Sequence, residues 1–460
     1  MASDVDILII GAGACGLSAA IAAHDVGVSV AIVEKRDRPG GNSSLSTGSI
    51  PGAGTRFQRD AGIEDSADML YADLLRIAGE TDCQALVWRL CEQSAPTVEW
   101  LVDQVGARLS LVTAYKHVGH TVARLHAPVS RRGQDLVDDL LAAVERRGIP
   151  LAVGNCVQDL LFEADAIAGA YIDSGSGNGN ITRARKTILA VNGFAGNPSL
   201  VKRFCPEIAG AQCFGAIGST GEAIVWGETI GAALSNVGAY QGYAAVSDPH
   251  GALRSWTIIE KGGVIVNRDG HRFGDESAGY SGFTPDVLAQ AAPRYAIFDQ
   301  KMFDVAAQEE EFMELHRHGG FKSADTPQAL AIMLSLSPAA VEITVGKAQA
   351  AALHQQPDAF GRRDFGLGAL EGKLYACRIV PGLFHTQGGL AVDIDGRVLD
   401  HSNRPIANLF AGGGAAGGLS GRTGATGYAS GNGLLSAIAL GRLAGEAAAK
   451  EIHGERRDTS

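Results

Sequence analysis

The chain has 460 residues, 46% of them hydrophobic, enough for two or three domains with sizeable cores. Its formal net charge of −11 argues against nucleic acid or an anionic membrane as a partner. Seven scattered cysteines with no C-x-x-C or C-x-x-C-H spacing predict reduced thiols, no zinc or other metal site, no iron–sulfur cluster and no c-type haem. MASDVD has no basic n-region and no window reaches membrane-span length, so a soluble cytoplasmic protein is expected.

The first element is the most informative. Ile7 to Ile10 read as a buried parallel strand, and Gly11, Gly13 and Gly16 form a G-x-G-x-x-G turn. A small-residue helix from Leu17 to His24 follows, then a second apolar run from Val28 to Val33 that ends on Glu34. In such a unit the first glycine permits the tight turn and the second admits a pyrophosphate to the backbone. The third lets helix and strand pack closely, and the helix N-terminus offers free N–H groups to phosphate. An acid at Glu34 is placed to accept from adenosine ribose hydroxyls. Strand, turn, helix, strand and acid in this order predict an FAD-type dinucleotide site.

Residues 38–54, rich in glycine and hydroxyls, read as a loop wrapping a cofactor. Residues 66–105 carry helical periodicity (Met69, Leu70, Leu74, Leu75, Ile77), and a further helix fits Gln134 to Arg147. Strands fit Ile149 to Val153 and Ala166 to Ile172, and the run KTILAV ends at the glycine turn of VNGFAGNPSL. A glycine-started helix fits 218–234. From about 238 to 375 aromatics increase and a charged helical stretch runs from Ala306 to His316, which predicts an inserted second domain. The first style returns with the hairpin GGLAVDIDGRVLD, a strand meeting the glycine turn of ANLFAGGGAAGG, and a long closing helix. Leu434, Leu435, Ile438 and Leu443 are that helix's main apolar positions, and its N-terminus suits a reduced flavin's negative charge. The expected division is 1–237 and 376–460 for the two parts of the cofactor domain, with 238–375 between them.

The motifs GAGACG, GGNSS, GSTGEA, GGVIVNRDGHRF, FDQ, HTQGGL and the terminal GRLAGE together resemble one flavoprotein superfamily along nearly the whole chain. It comprises the fumarate reductases, succinate dehydrogenase flavoproteins, aspartate oxidases and 3-ketosteroid dehydrogenases. The resemblance implies an α/β fold: a Rossmann-type, glutathione-reductase-like FAD domain interrupted by an α+β capping domain that closes over flavin and substrate. Expected FAD contacts are Gly11, Gly13, Gly16, Glu34, Lys35, Gly41, Asn42, Ser43, Gly48, Val157, Asn192, Gly193, Gly413, Gly414, Gly433, Leu434 and Leu435. Members with covalent FAD carry a histidine where this chain has Asn42, which implies non-covalent FAD.

Two further departures sort the chemistry. Fumarate-reducing members have a catalytic arginine four residues after the Glu of RF-x-N-E; here RFGDESAGY places Tyr280 there. They also hold a substrate carboxylate with an arginine thirteen residues before the glycine of GRLAGE, where this chain has Tyr428. Both tyrosines resemble the 3-ketosteroid dehydrogenases, in which one on the cap takes the alpha proton and another hydrogen-bonds the ketone oxygen. The run Tyr428, Ala429, Ser430 is similar to the branch that desaturates saturated ring ketones.

Desaturating a ketone removes a proton from the alpha carbon and a hydride from the beta carbon, the hydride passing to flavin N5. The enolate oxygen needs a fixed donor, the role expected of Tyr428 with a backbone N–H near Gly433. Tyr280 is the expected proton acceptor; a phenol ordinarily titrates near ~10, so it needs a nearby cation or hydroxyl relay, for which Arg422 and His385 are candidates. His385 occupies the place of a substrate-carboxylate histidine in fumarate reductases, or it caps a turn. In the first case the substrate carries a carboxylate or another polar group besides its ketone, which favours a small ring such as an oxocyclohexane acid over a bare steroid. Tyr115, His117, His120, Arg124 and His126 line the site entrance or form a solvated loop. His316 and His318 read as surface residues, and Glu276 anchors the cap or pairs with Arg272. The leading expectation is an FAD-dependent dehydrogenase acting on a small-molecule ketone with an external electron acceptor. The alternatives are a reductase of an enone or unsaturated acid, and a flavin-binding electron carrier without turnover.

Overall fold

The computed structural model describes residues 4–113, 117–175, 179–250, 256–425 and 427–458. The chain divides into two compact units. The first comprises Met1–Pro206, Gly215–Tyr240 and His385–Ser460, the second Glu207–Phe214 and Gln241–Phe384.

In the first unit β1 (Val5–Ile10) leads into α1 (Ala14–Asp25), which returns to β2 (Val30–Val33). β1 lies between β2 and the strand Asn180–Leu189, parallel to both. Pro405–Ala411 continues the parallel set beyond Asn180–Leu189, and Leu151–Ala152 extends it beyond β2. The apolar runs of β1 and of Pro405–Ala411 are buried at this core, as expected of strands covered on both faces. An antiparallel pair, Cys156–Glu163 with Ala166–Asp173, joins the same eight-stranded sheet.

The closing helix Asn432–Asp458 packs on α1. Gly441 and Gly445, four apart and so on one face, make this possible. A Cβ at Gly441 would overlap the Cys15 carbonyl, and one at Gly445 the Ala19 carbonyl. This contact holds the closing helix beside the glycine turn that starts α1.

The second unit is built on an antiparallel sheet in which Arg294–Asp299 lies between Val264–Val266 and Leu374–Thr386. Two strands, Gly238–Ser247 and Leu374–Thr386, run without a break across the unit boundaries. The division therefore falls at 240/241 and 384/385, the latter beyond the composition change near 375. Glu207–Phe214 joins the second unit because Gln212 and Cys213 pair with Gly382 and Leu383.

Three elements differ locally from the expectation. The 38–54 loop contains a short helix, α2 (Gly41–Leu45), and the stretch at 306–316 breaks into Gln300–Ala306 and Glu310–Arg317. The helix within 218–234 spans only Glu222–Thr229. Among the described residues no helix is long and apolar enough to cross a membrane.

Candidate active site

The glycine turn between β1 and α1 is shaped by steric exclusion. Gly11 has φ +107°, and a Cβ on it would overlap the Ala190 carbonyl; one on Gly16 would overlap the Gly11 carbonyl. Gly13 differs. Its φ of −80° suits any residue, and a Cβ there would meet nothing nearer than the Gly40 carbonyl oxygen, at 3.6 Å. No protein neighbour demands glycine at 13, so the open space faces an external group. That space lies at the N-terminus of α1, where Gly13 itself is the N-cap. It fits a pyrophosphate.

The expected contacts gather around this turn in the first unit. Glu34 accepts from Ala12 N at 2.9 Å and from Arg36 N at 2.9 Å, which fixes its carboxylate at the end of β2. Ser43 Oγ accepts from Ala14 N at 3.3 Å. Asn42 Oδ1 accepts from Ala216 N at 2.6 Å, while its buried Nδ2 has no partner. Gly41 and Gly48 both take positive φ (+52° and +68°).

Asn192, with φ +67°, donates from Nδ2 to Ser219 Oγ at 2.8 Å and accepts from Gly193 N at 2.9 Å. A Cβ on Gly414 would come within 2.6 Å of Asn192 Oδ1, and Gly413 has φ +59°. Val157 is a buried strand residue paired with Ile172. The Lys35 ammonium pairs with Glu222 and donates to Thr220 Oγ1 at 3.0 Å. The orphaned Asn42 amide and the space at Gly13, at the N-terminus of α1, together fit FAD.

At the closing helix, Gly433, Leu434 and Leu435 form the first turn. His385 is beside it: a Cβ on Gly433 would lie 3.4 Å from His385 Nε2. His385 Nδ1 lies 3.0 Å from the Thr386 carbonyl, and burial holds its pKa below the ordinary value. With Nδ1 donating, neutral His385 offers Nε2 as an acceptor.

Half-buried Tyr428 precedes this turn. Its neighbour Ser430 is fixed twice, its N–H donating to Val118 O at 3.0 Å and its carbonyl 2.8 Å from His120 Nε2. His120 Nδ1 faces Arg124 at 3.3 Å, and Arg124 is fully buried between Asp65 and Asp73, at 2.9 and 2.8 Å. Since Arg124 can only donate, His120 carries its proton on Nε2 and donates to Ser430.

The solvated-loop reading of this segment is therefore corrected for His120, Arg124 and His126, which are buried. Their charges are internally paired or neutralised by burial. Tyr115 lies outside the described residues. Arg422, 53% exposed, is paired with Glu80 and Asp82 at 3.0 and 2.6 Å, so its charge is already committed.

Tyr280 belongs to the second unit, in the short helix Gly279–Gly282. The helix is pinned to Gly238–Ser247 by Gly242 N donating to Ser281 Oγ at 3.0 Å. Only glycine at 242 permits the approach, because a Cβ would come within 2.5 Å of Thr284 Oγ1. The Tyr280 ring lies 5.0 Å from Tyr243 and edge-on to Trp256 at 6.3 Å, while Tyr243 stacks on Phe384 at 5.1 Å. Glu276 pairs with Arg272 and also with Arg362, at 3.2 Å for the second; Arg272 also pairs with Asp358.

The FAD binding domain model matches residues 6–433. The chain belongs to that family. FAD is accordingly the cofactor of this flavoprotein, whose relatives are FAD-dependent oxidoreductases. The NADH:fumarate oxidoreductase of Klebsiella pneumoniae (strain 342) is 31% identical over 453 residues. That match takes in 98% of this chain and 48% of the relative, so the chain spans about half of that protein's length. The open conformation of a flavocytochrome c3 fumarate reductase superposes with a TM-score of 0.83 at 29% identity, covering 97% of this chain and 78% of that one. The 3-ketosteroid delta1-dehydrogenase of Sterolibacterium denitrificans gives a TM-score of 0.78 at 20% identity, over 97% and 99% of the two chains, and shares the fold.

Gln387 and Asn432, at the start of the closing helix, were not singled out from the sequence, and the burial of His120 was not foreseen. Each is a buried polar side chain, a property that one sequence does not display.

Proposed function

We propose that this flavoprotein is a dehydrogenase that introduces a carbon–carbon double bond next to a ketone, in a ring. The observation that carries the reading is the setting of Tyr280. It is a phenol within an aromatic cluster, at the position where resemblance to fumarate reductases would put an arginine. Such a cluster favours an apolar ring over a dicarboxylate, whose charges would lose hydration against Tyr243 and Trp256.

In this reading Tyr280, as the phenolate, takes the alpha proton on its oxygen and becomes the neutral phenol. Tyr428 donates to the ketone oxygen, which becomes negative as that proton leaves. The hydrogen bonds to Ser430 from both sides fix the backbone that carries Tyr428. FAD, when bound, supplies the two-electron acceptor for the hydride leaving the beta carbon, and Asn42 in place of a histidine leaves the cofactor non-covalent. An external acceptor then takes the electrons.

A second reading, reduction of an activated alkene, is favoured by the names of the relatives, several of which are fumarate reductases. His385 distinguishes the two. Burial keeps it neutral, so binding a carboxylate would require it to take up a proton, and affinity for an unsaturated acid would rise as pH falls. A ketone demands no such uptake.

The test is aerobic turnover with an artificial electron acceptor and a panel of saturated steroid, cyclohexanone and oxocyclohexane-acid ketones. A product two hydrogens lighter with enone absorbance is expected from at least one ring ketone. Turnover confined to unsaturated acids with a reduced donor would replace the dehydrogenase with the reductase.

A further inference from the structure

Gln387 and Asn432 form a buried amide pair at the start of the closing helix. Gln387 is 5% exposed and Asn432 1%. Asn432 Nδ2 donates to Gln387 Oε1 at 3.0 Å and to Ser420 Oγ at 3.2 Å. Gln387 Nε2 and Asn432 Oδ1, both buried, have no partner. The backbones carrying them are fixed. Gln387 N donates to Ala239 O at 2.8 Å, Gln387 O accepts from Gly418 N at 3.0 Å, and Asn432 N donates to Ala429 O at 3.2 Å.

The count does not depend on how the amides are oriented. Turning both about exchanges donor for acceptor on each, and one N–H donor and one C=O acceptor still remain unmatched. A buried group left unmatched loses its hydration without return, so the two together point to an occupant that both donates and accepts. A ketone or a carboxylate only accepts. The imide edge of a flavin, with N3–H flanked by two carbonyls, does both on adjacent atoms. The pair also adjoins the first turn of the closing helix, whose free N–H groups and partial positive charge favour a carbonyl or an anion.

We propose that Gln387 and Asn432 read the imide edge of the flavin, Asn432 Oδ1 accepting from N3–H and Gln387 Nε2 donating to a neighbouring carbonyl. The inference rests on the FAD assignment and is independent of the substrate. The Gln387 donor would strengthen as negative charge builds on the reduced ring, so it raises the reduction potential.

Apoprotein titrated with FAD and with N3-methyl-FAD provides the test, since methylation removes the N3–H donor. The unaltered protein is expected to bind N3-methyl-FAD about tenfold to a hundredfold more weakly than FAD. In Asn432→Ala the difference should shrink towards unity because FAD loses its advantage. Gln387→Met, close in size, should keep the discrimination while shifting the flavin potential to a more negative value. Equal affinities in the unaltered protein would overturn the proposal and assign the pair to a trapped water. Undiminished discrimination in Asn432→Ala, or an unmoved potential in Gln387→Met, would also overturn it. Failure to bind FAD at all would overturn the cofactor assignment along with it.

Discussion

Tyr280 and Tyr428 differ in what surrounds them, and that difference sets what each can do. Tyr280 packs against the rings of Tyr243 and Trp256, so replacing it with phenylalanine keeps the packing and removes only the hydroxyl. We expect Tyr280→Phe to retain FAD while the rate of flavin reduction by a ring ketone falls by about 10²–10⁴-fold, the usual contribution of a positioned acid or base. An unchanged rate would remove it as the proton acceptor. Tyr428→Phe should cost about 10²–10³-fold in kcat, as the loss of one oxyanion donor does. At this scale the sequence displayed residue types at family positions but not their neighbours. Lys35, expected at the cofactor, is tied to Glu222, and Arg422 to Glu80 and Asp82. Such pairings join residues far apart in the chain and have no local signature.

The segment 117–126 is an element whose role emerges only in three dimensions. Burial pushes His117 down to about 3, with the Arg131 charge adding to it, and holds His120 and His126 at about 4. Folded, these imidazoles stay neutral; unfolded, they take up protons below about 6.5. The unfolded state then binds more protons, so stability is fully present above about 6.5 and falls as pH drops below it. The slope is about 1.4 kcal/mol per pH unit for each such histidine. Urea unfolding should therefore show a lower midpoint at pH 5.5 than at 7.5, and equal midpoints would contradict this account. Arg124→Met should cost about 3–5 kcal/mol, because it leaves Asp65 and Asp73 buried without their cation. Thermal unfolding measures that loss. The strand Cys156–Glu163 was equally hard to read in advance. Its register shifts at Val157/Asp159 and Leu161/Phe162 interrupt the alternation by which a strand is recognised. By contrast β1, α1 and β2 were legible, because their apolar runs and glycine spacing are both local properties.

Over the whole molecule, the first unit is assembled from three stretches of chain that are distant in sequence, joined where the closing helix packs on α1. The turn at Gly11–Gly16 and the loop carrying Tyr428 thereby come to belong to one cofactor domain. Its first and last stretches both carry glycine turns, a local property, whereas the excursion of Glu207–Phe214 into the second unit has no local signature. The boundary at 384/385 was not legible either, because an unbroken strand crosses it. With Asn42 where, by the resemblance, members with covalent FAD carry a histidine, acid precipitation should release all of the flavin into the supernatant; yellow colour retained in the pellet would contradict non-covalent binding. What the bound flavin reacts with separates the dehydrogenase from the reductase. Under anaerobic conditions, mixing the oxidised holoprotein with a saturated cyclic ketone is the most direct measurement. Bleaching of the flavin band near ~450 nm, with formation of an equivalent of enone, is the predicted result, since two electrons must leave the ketone as its C–C bond becomes a double bond. No bleaching by any cyclic ketone, together with rapid reoxidation of the reduced protein by fumarate, would contradict it.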